Sequence, residues 1–251
     1  MNASEYICGV LFEGTIEKRS YLNNLPVVKY LLCKQSLDFS KSVTFFVGEN
    51  GTGKSTLLEA IAVSYGFNAE GGSINFNFST KNTHSELCDH LVLRKRAKAR
   101  DGFFLRAESV YNVATNIDKM DSEPSFDPQV IQSYGGVSLH NQSHGESFLS
   151  IVQNRFFGQG LYILDEPEAA LSPTNQLVLL AEMNRLVKNG SQFIIATHSP
   201  ILMAFPEAEI LQFSADGINP VEYKETEHYQ ITKRFLNSPE TVLGYLLDNE
   251  K

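Results

Sequence analysis

Three glycines, a lysine and a serine are set close together in Gly48-Glu49-Asn50-Gly51-Thr52-Gly53-Lys54-Ser55, and that spacing suits the holding of an anion. Glycines let successive backbone N–H groups turn inward on phosphate oxygens, and a helix opening near Lys54 adds the positive end of its dipole. Lys54 is expected to reach the outer phosphates of a nucleotide, and the Ser55 hydroxyl to sit on Mg2+. The loop residues Gly48, Asn50, Gly51, Thr52, Gly53, Lys54, Ser55 and Thr56 form the candidate phosphate cradle.

A second site of chemistry is Asp165-Glu166, two carboxylates at the tip of the apolar run Leu161-Tyr162-Ile163-Leu164. An Asp there can hold Mg2+ through its water shell, and a Glu beside it can orient and deprotonate an attacking water. His198 leaves the apolar run Phe193–Ala196 in Thr197-His198-Ser199-Pro200; on its own it is either a reactive group or a satisfied core histidine. Ser143-His144-Gly145-Glu146-Ser147 is weaker alone, since a serine that caps a helix explains it equally well.

The elements that must carry these groups read as an α/β fold. A strand over Val43–Val47 enters the glycine loop, and a helix with Leu57, Leu58 and Ile61 leaves it. Further strands are expected over 6–12, over 73–80 by alternation, and over 102–110, where Phe104, Arg106 and Glu108 share a face. A helix is expected over 85–100, ending in the basic run Arg94–Arg100, which is either a solvated helix end or an anion contact. Residues 18–34 are mixed, with alternation around Pro26, and 115–132 reads as a loop or small mobile subdomain. Helices follow over 144–156 and from about Thr174 to Lys188, with Gly190 closing the latter. Tyr21 and Tyr30 are open either to stacking on a base or to ordinary packing.

Composition narrows the classes. The 251 residues suit one large domain, and 42% apolar content is enough for a full core. A net charge of −8 argues against nucleic-acid binding by bulk charge, so a DNA contact would need a local patch. Cys8, Cys33 and Cys88 are odd in number and lack metal spacing, which fits reduced thiols in a cytosol. No signal-like or membrane-spanning apolar run is visible, so a cytoplasmic protein without an integral membrane segment of its own is expected.

Taken in order, the motifs resemble those of the ATP-binding-cassette (ABC) class of P-loop ATPases. GENGTGKST resembles the Walker A loop, SHGES the signature, LYILDEP the Walker B strand with its catalytic Glu, and ATHSP the switch-histidine loop. Lys54 to Ser143 spans 89 positions, Ser143 to Asp165 spans 22 and Asp165 to His198 spans 33, as the class requires. EPEAALSP after Walker B, and the Ser-Pro after His198, resemble the small stand-alone RecF/OLD-like, AAA-type-core ATPases more than transporter cassettes. A further departure is the absence of the usual Mg2+-sensing Gln, for which Glu108 is the best substitute. The gap between Walker A and the signature leaves no room for a long coiled coil.

The resemblance implies a P-loop NTPase fold with a central, mostly parallel sheet flanked by helices. It implies one ABC-type domain over 1–251, with a compact inserted arm at roughly 68–140 and the signature at 143–147. It also implies an ATP-dependent homodimer in which Ser143, Gly145 and Glu146 of one copy face the ATP and Mg2+ held by the other. Lys54, Glu166 and His198 would be catalytic, and Ser55, Asp165 and Glu108 would serve the metal. The implied function is an ATPase switch acting on an unknown partner protein or on DNA, with the ATP-binding subunit of a membrane transporter as the alternative.

Overall fold

Three strands with no exposed side of their own form the middle of the protein. In the computed structural model, which describes residues 5–74, 85–122, 124 and 128–247, Val43–Gly48, Gly160–Asp165 and Gln192–Ala196 are buried at every position. Continuous apolar runs of this kind belong to parallel strands covered on both faces.

In chain order the elements are β1 (Ile7–Phe12), α1 (Pro26–Lys34), β2 (Ser36–Asp38), β3 (Val43–Gly48), α2 (Lys54–Tyr65), β4 (Gly72–Ser73), β5 (Leu91–Lys95) and β6 (Asp101–Arg106). There follow α3 (Val110–Ser122), α4 (His144–Arg155), β7 (Gly160–Asp165), α5 (Pro173–Lys188), β8 (Gln192–Ala196), β9 (Glu209–Ser214), β10 (Gly217–Pro220), α6 (Glu227–Asn237) and α7 (Pro239–Leu247). Seven strands make one sheet in the order β10-β9-β3-β8-β7-β6-β4, parallel from β9 to β6 and antiparallel at both edges. A central, mostly parallel sheet flanked by helices is therefore the architecture.

Alternation along β3 divides the core in two. Phe46 joins α1, α2 and the small sheet on one face, while Val43, Phe45 and Val47 join α3, α4 and α5 on the other. The small antiparallel sheet, β2-β1-β5, is tied to the main one by the buried Gln192 side chain. Its Oε1 accepts from the Tyr6 and Ile7 amides at 2.7 and 2.9 Å, and its Nε2 donates to the Ile7 carbonyl at 2.7 Å. A buried amide is stable here because three of its hydrogen-bonding positions are satisfied.

Several local expectations are corrected. Residues 85–100 are not a helix: a short 3-10 turn over Glu86–His90 runs into β5, which pairs antiparallel with β1. Leu87 and Leu91 are both buried, one from the turn and one from the strand, and this imitates helical spacing. The basic run is therefore a strand and its exit. Arg94 pairs with Asp38, Arg96 lies 2.7 Å from Glu5, and the Lys95 ammonium lies 4.7 Å from the Tyr65 ring centre.

The strand expected over 102–110 stops at Arg106, so Phe104 and Arg106 share its face while Glu108 falls in the 3-10 turn Ala107–Ser109. Residues 115–132 are not simply loop, because α3 occupies them as far as Ser122 and buries Val110, Val113, Ala114 and Ile117 at helical spacing. Around Pro26 the chain is helical rather than alternating, with the proline at the first helical turn where its missing N–H costs nothing.

Of the stretch 68–140, β5 lies in the small sheet and β4 and β6 in the large one. α3 packs in the core beside α4. Most of the strand expected over 73–80 lies outside the described residues, β4 ending at Ser73. No described helix is long and apolar enough to cross a membrane.

Candidate functional site

Parallel strands β3, β8 and β7 lie side by side, with β8 and β7 ending level and β3 running two residues further to Gly48. Asp165 stands opposite Ala196 on one side and Arg106 on the other, and Ala196 stands opposite Phe46. The ladder runs on past the strand ends, with the Glu166 amide donating to the Ala196 carbonyl at 2.9 Å and the Thr197 amide to the Phe46 carbonyl at 3.1 Å. The glycine loop, the Asp165-Glu166 pair and the Thr197-His198 turn therefore all emerge at the carboxyl edge of one sheet, where open α/β sheets place their ligands.

The loop between β3 and α2 takes a conformation that its glycines make possible. Gly48, Gly51 and Gly53 have φ of 136°, 80° and 95°. Gly53 is also the N-cap of α2, without a side-chain cap, and a Cβ there would stand 2.3 Å from Val27 Cγ1. α1 is thus pressed against the loop, and the Val27 amide donates to the Thr52 carbonyl at 3.2 Å. Lys54 is buried and folds over the loop, its ammonium donating to the Gly48 and Glu49 carbonyls, each at 2.8 Å. Burial lowers its pKa, against the pull of Glu166, Asp165 and Glu168.

Next to Lys54, the Ser55 hydroxyl donates to Asp165 Oδ1 at 2.9 Å. The other oxygen of Asp165 accepts from Arg106 Nε at 3.3 Å, and Arg106 Nη2 reaches Glu59 of α2 at 2.7 Å. Burial raises the Asp165 pKa, while Arg106 and the Ser55 hydroxyl oppose that rise. A hydroxyl and a carboxylate at this distance are the oxygen donors that Mg2+ takes, and the loop with its buried ammonium suits phosphate, so these residues fit Mg-nucleotide.

Glu166 has φ of 47°, a left-handed conformation uncommon for a residue other than glycine. It turns the chain sharply, so that Asp165 faces Ser55 while Glu166 Oε1 stands 3.8 Å from His198 Nε2. Glu168, one turn on, holds the histidine loop in place. Its carboxylate accepts from the Thr197 hydroxyl at 2.7 Å and from the His198 amide. Burial raises the Glu168 pKa, and those two hydrogen bonds oppose the rise. His198 Nδ1 is 2.9 Å from His228 Nε2 in α6, and burial, then Lys54, then His228 lower the His198 pKa.

A cleft of about 230 Å³ opens between these parts, lined by Ser55, Arg106, Glu108, Asp165 and Glu166 among others. Glu108 reaches it with an exposed side chain, and no cluster of three acidic, His or Cys residues suited to a metal occurs among the described residues. A larger concavity of about 1080 Å³ lies at the opposite strand ends around Tyr6, Asp101 and Arg155. Its central charges satisfy one another, Arg155 donating to Asp101 at 2.8 Å, so the smaller cleft is the candidate site.

Ser143, Gly145 and Glu146 do not line that cleft. Ser143 caps α4 in a reciprocal capping box: Glu146 Oε2 accepts from its amide and hydroxyl at 2.9 and 2.7 Å. These two bonds lower the pKa of the exposed Glu146. Gly145 presses on the loop after β7, where a Cβ would stand 2.9 Å from the Ala170 carbonyl. Of the two tyrosines, Tyr21 is exposed with its hydroxyl 3.1 Å from Ser85 Oγ, and Tyr30 packs near Gly217.

Arg106, Glu168 and His228 were missed by sequence reasoning. Arg106 was visible only as one member of an alternating strand face, Glu168 as a third acid beside the pair, and His228 carried no pattern of its own.

One AAA-domain family matches residues 23–119, and a second AAA-domain family, described with the AbiEii toxin of a type IV TA system, matches residues 148–204. An ABC transporter of metal-chelate type, solved in an inward-facing conformation, superposes with a TM-score of 0.50 at 16% identity, over 92% of this chain and 88% of that one. The fold is that of an ABC-class P-loop ATPase.

Among curated relatives of this ATPase fold, the ribose import ATP-binding protein RbsA of Lacticaseibacillus paracasei is 25% identical over 228 residues, 79% of this chain and 43% of that protein. The ABC-type transporter adrC of Penicillium roqueforti is 26% identical over 224 residues, 82% of this chain and 14% of that protein. The chain thus spans less than half the length of either.

Proposed function

We propose that this chain binds Mg-ATP and hydrolyses it at a composite site completed by a second copy, as a cytoplasmic switch acting on a partner protein or on DNA. The observation that carries this reading is the convergence at three adjacent strand ends: Ser55 bonded to Asp165 at 2.9 Å, with Glu166 turned toward His198 at 3.8 Å.

Each residue then has a task. Lys54 exchanges its carbonyl partners for phosphate oxygens, helped by the loop amides of Gly48, Asn50, Gly51, Thr52 and Gly53 and by Thr56. Ser55 and Asp165 would hold Mg2+, with Glu108 at the cleft mouth. The metal, when bound, supplies positive charge against the phosphates. Glu166, half-buried and without the burial of Asp165, takes a proton from water. His198 offers a ring nitrogen to the terminal phosphate. Ser143, Gly145 and Glu146 stand at the start of α4 away from their own cleft, which suits them to the nucleotide of a second copy.

Residues 1–251 act in this reading as one ATPase domain, with 68–140 contributing its arm. A second reading, the ATP-binding subunit of an ABC transporter, is favoured by the import and transport functions in the names of the curated relatives. Phosphate release from Mg-ATP, abolished by EDTA, tests the enzyme. Fractionation of cells then separates the two roles, since the transporter reading requires recovery with a membrane permease and the switch reading does not.

A further inference from the structure

His198 uses its two ring nitrogens differently. Nδ1 meets His228 Nε2 at 2.9 Å, whereas Nε2 is buried, has no hydrogen-bond partner among the described residues, and stands 3.8 Å from Glu166 Oε1. The two rings are tilted by 58° with centres 5.0 Å apart, so the contact is made through the nitrogens rather than by stacking. His228 lies in the first turn of α6, whose N-cap Thr226 is buried and donates its hydroxyl to the Tyr223 carbonyl at 2.8 Å. The α6 residues themselves are not buried, so the histidine contact is not a by-product of core packing.

Partial burial and the nearby Lys54 lower the pKa of both histidines, which leaves both neutral near pH 7. Two neutral imidazoles share one N–H between the facing nitrogens, and the direction of that bond decides the other end of His198. If His198 donated, a bare Nε2 lone pair would face the Glu166 carboxylate. If His228 donates, Nε2 carries the proton and faces the carboxylate favourably.

We propose that His228 is a positioning residue: its Nε2–H donates to His198 Nδ1 and so keeps a proton on His198 Nε2, aimed beside Glu166 where a terminal phosphate would enter. This rests on the nucleotide-site reading above, but its test does not depend on turnover. The arrangement follows the rule by which a second group sets the tautomer of a functional histidine.

The test is 15N NMR of the histidine rings in the full chain without nucleotide, at a pH above the ordinary histidine range. Wild type should show His198 protonated on Nε2. His228→Leu should lose that single tautomer, and His228→Gln, whose amide N–H can still donate, should keep it. With Mg-ATP, His228→Leu should lower kcat by about 10- to 100-fold while KM changes by less than about threefold, and the Gln variant should recover most of the loss. Wild-type His198 protonated on Nδ1, or an unaltered tautomer in His228→Leu, overturns the proposal. A wild-type protein without ATPase activity that still shows the His228-dependent tautomer overturns only the nucleotide-site reading.

Discussion

The Ser55 hydroxyl donates to Asp165 Oδ1 across 2.9 Å, joining the start of α2 to the end of β7 over 110 positions of sequence. A contact that distant in the chain is made because β3 and β7 both flank β8 in parallel and leave the sheet at the same edge. The expected chemistry follows from it residue by residue.

Lys54→Ala should weaken ATP binding by about 10- to 100-fold, since a charge-assisted hydrogen bond is worth about 1.5–3 kcal/mol. Calorimetry measures this directly. Unchanged affinity would show that phosphate does not sit in the glycine loop.

Glu168→Ala should cost stability even in the absence of nucleotide. The substitution strands the His198 amide and the Thr197 hydroxyl, which now donate to the carboxylate. Buried donors left without a partner cost about 1–3 kcal/mol. Urea denaturation should show the loss; a change below about 0.5 kcal/mol would mean that the histidine loop is held by other contacts.

The histidine pair should make stability depend on pH. His198 and His228 have lowered values in the fold, chiefly from burial, so on acidification the unfolded chain takes up protons before the folded one does. With more protons on the unfolded state, stability rises with pH, so it should fall as pH drops from about 7.5 through the ordinary histidine range near 6.5. Asp165 and Glu168, raised by burial, act in the opposite direction at lower pH. A His198→Asn, His228→Asn double variant should flatten the slope between about pH 7.5 and 6. An equal slope in wild type and variant would assign it to other groups.

The basic run should contribute little to DNA binding. Arg94 and Arg96 are already paired with Asp38 and Glu5, and Lys95 lies over Tyr65. Reversing Arg96 should therefore leave the salt dependence of any DNA affinity unchanged. Fluorescence anisotropy against salt would contradict this if the slope fell by about one unit per substituted residue.

Much of this was legible in the sequence, for physical reasons that differ from place to place. β3, β7 and β8 are short, mostly apolar runs ended by Gly48, by Asp165-Glu166 and by Thr197-His198, and buried parallel strands leave that mark in one dimension. α3 was missed: Val110, Val113, Ala114 and Ile117 are spaced as a helix face, but its acids and the prolines beyond it masked the period. β5 was missed as well, because a short apolar stretch fits strand and helix alike until its partner β1 is known. His228 left no local pattern at all: 30 positions separate it from His198, and only the placement of α6 brings their rings together.

The central claim is a composite ATP site, and Glu166→Gln tests it most directly. Gln keeps the size of Glu but cannot take a proton from water, so ATP should bind while turnover falls by a factor on the order of 10²–10⁴. The terminal phosphate then stays in place and the contacts expected from Ser143 and Gly145 of a second copy persist. Light scattering on this variant, with phosphate release followed in parallel, should show a dimer with Mg-ATP and a monomer without it. A variant that stays monomeric in saturating Mg-ATP, or that hydrolyses at the wild-type rate, would contradict the account.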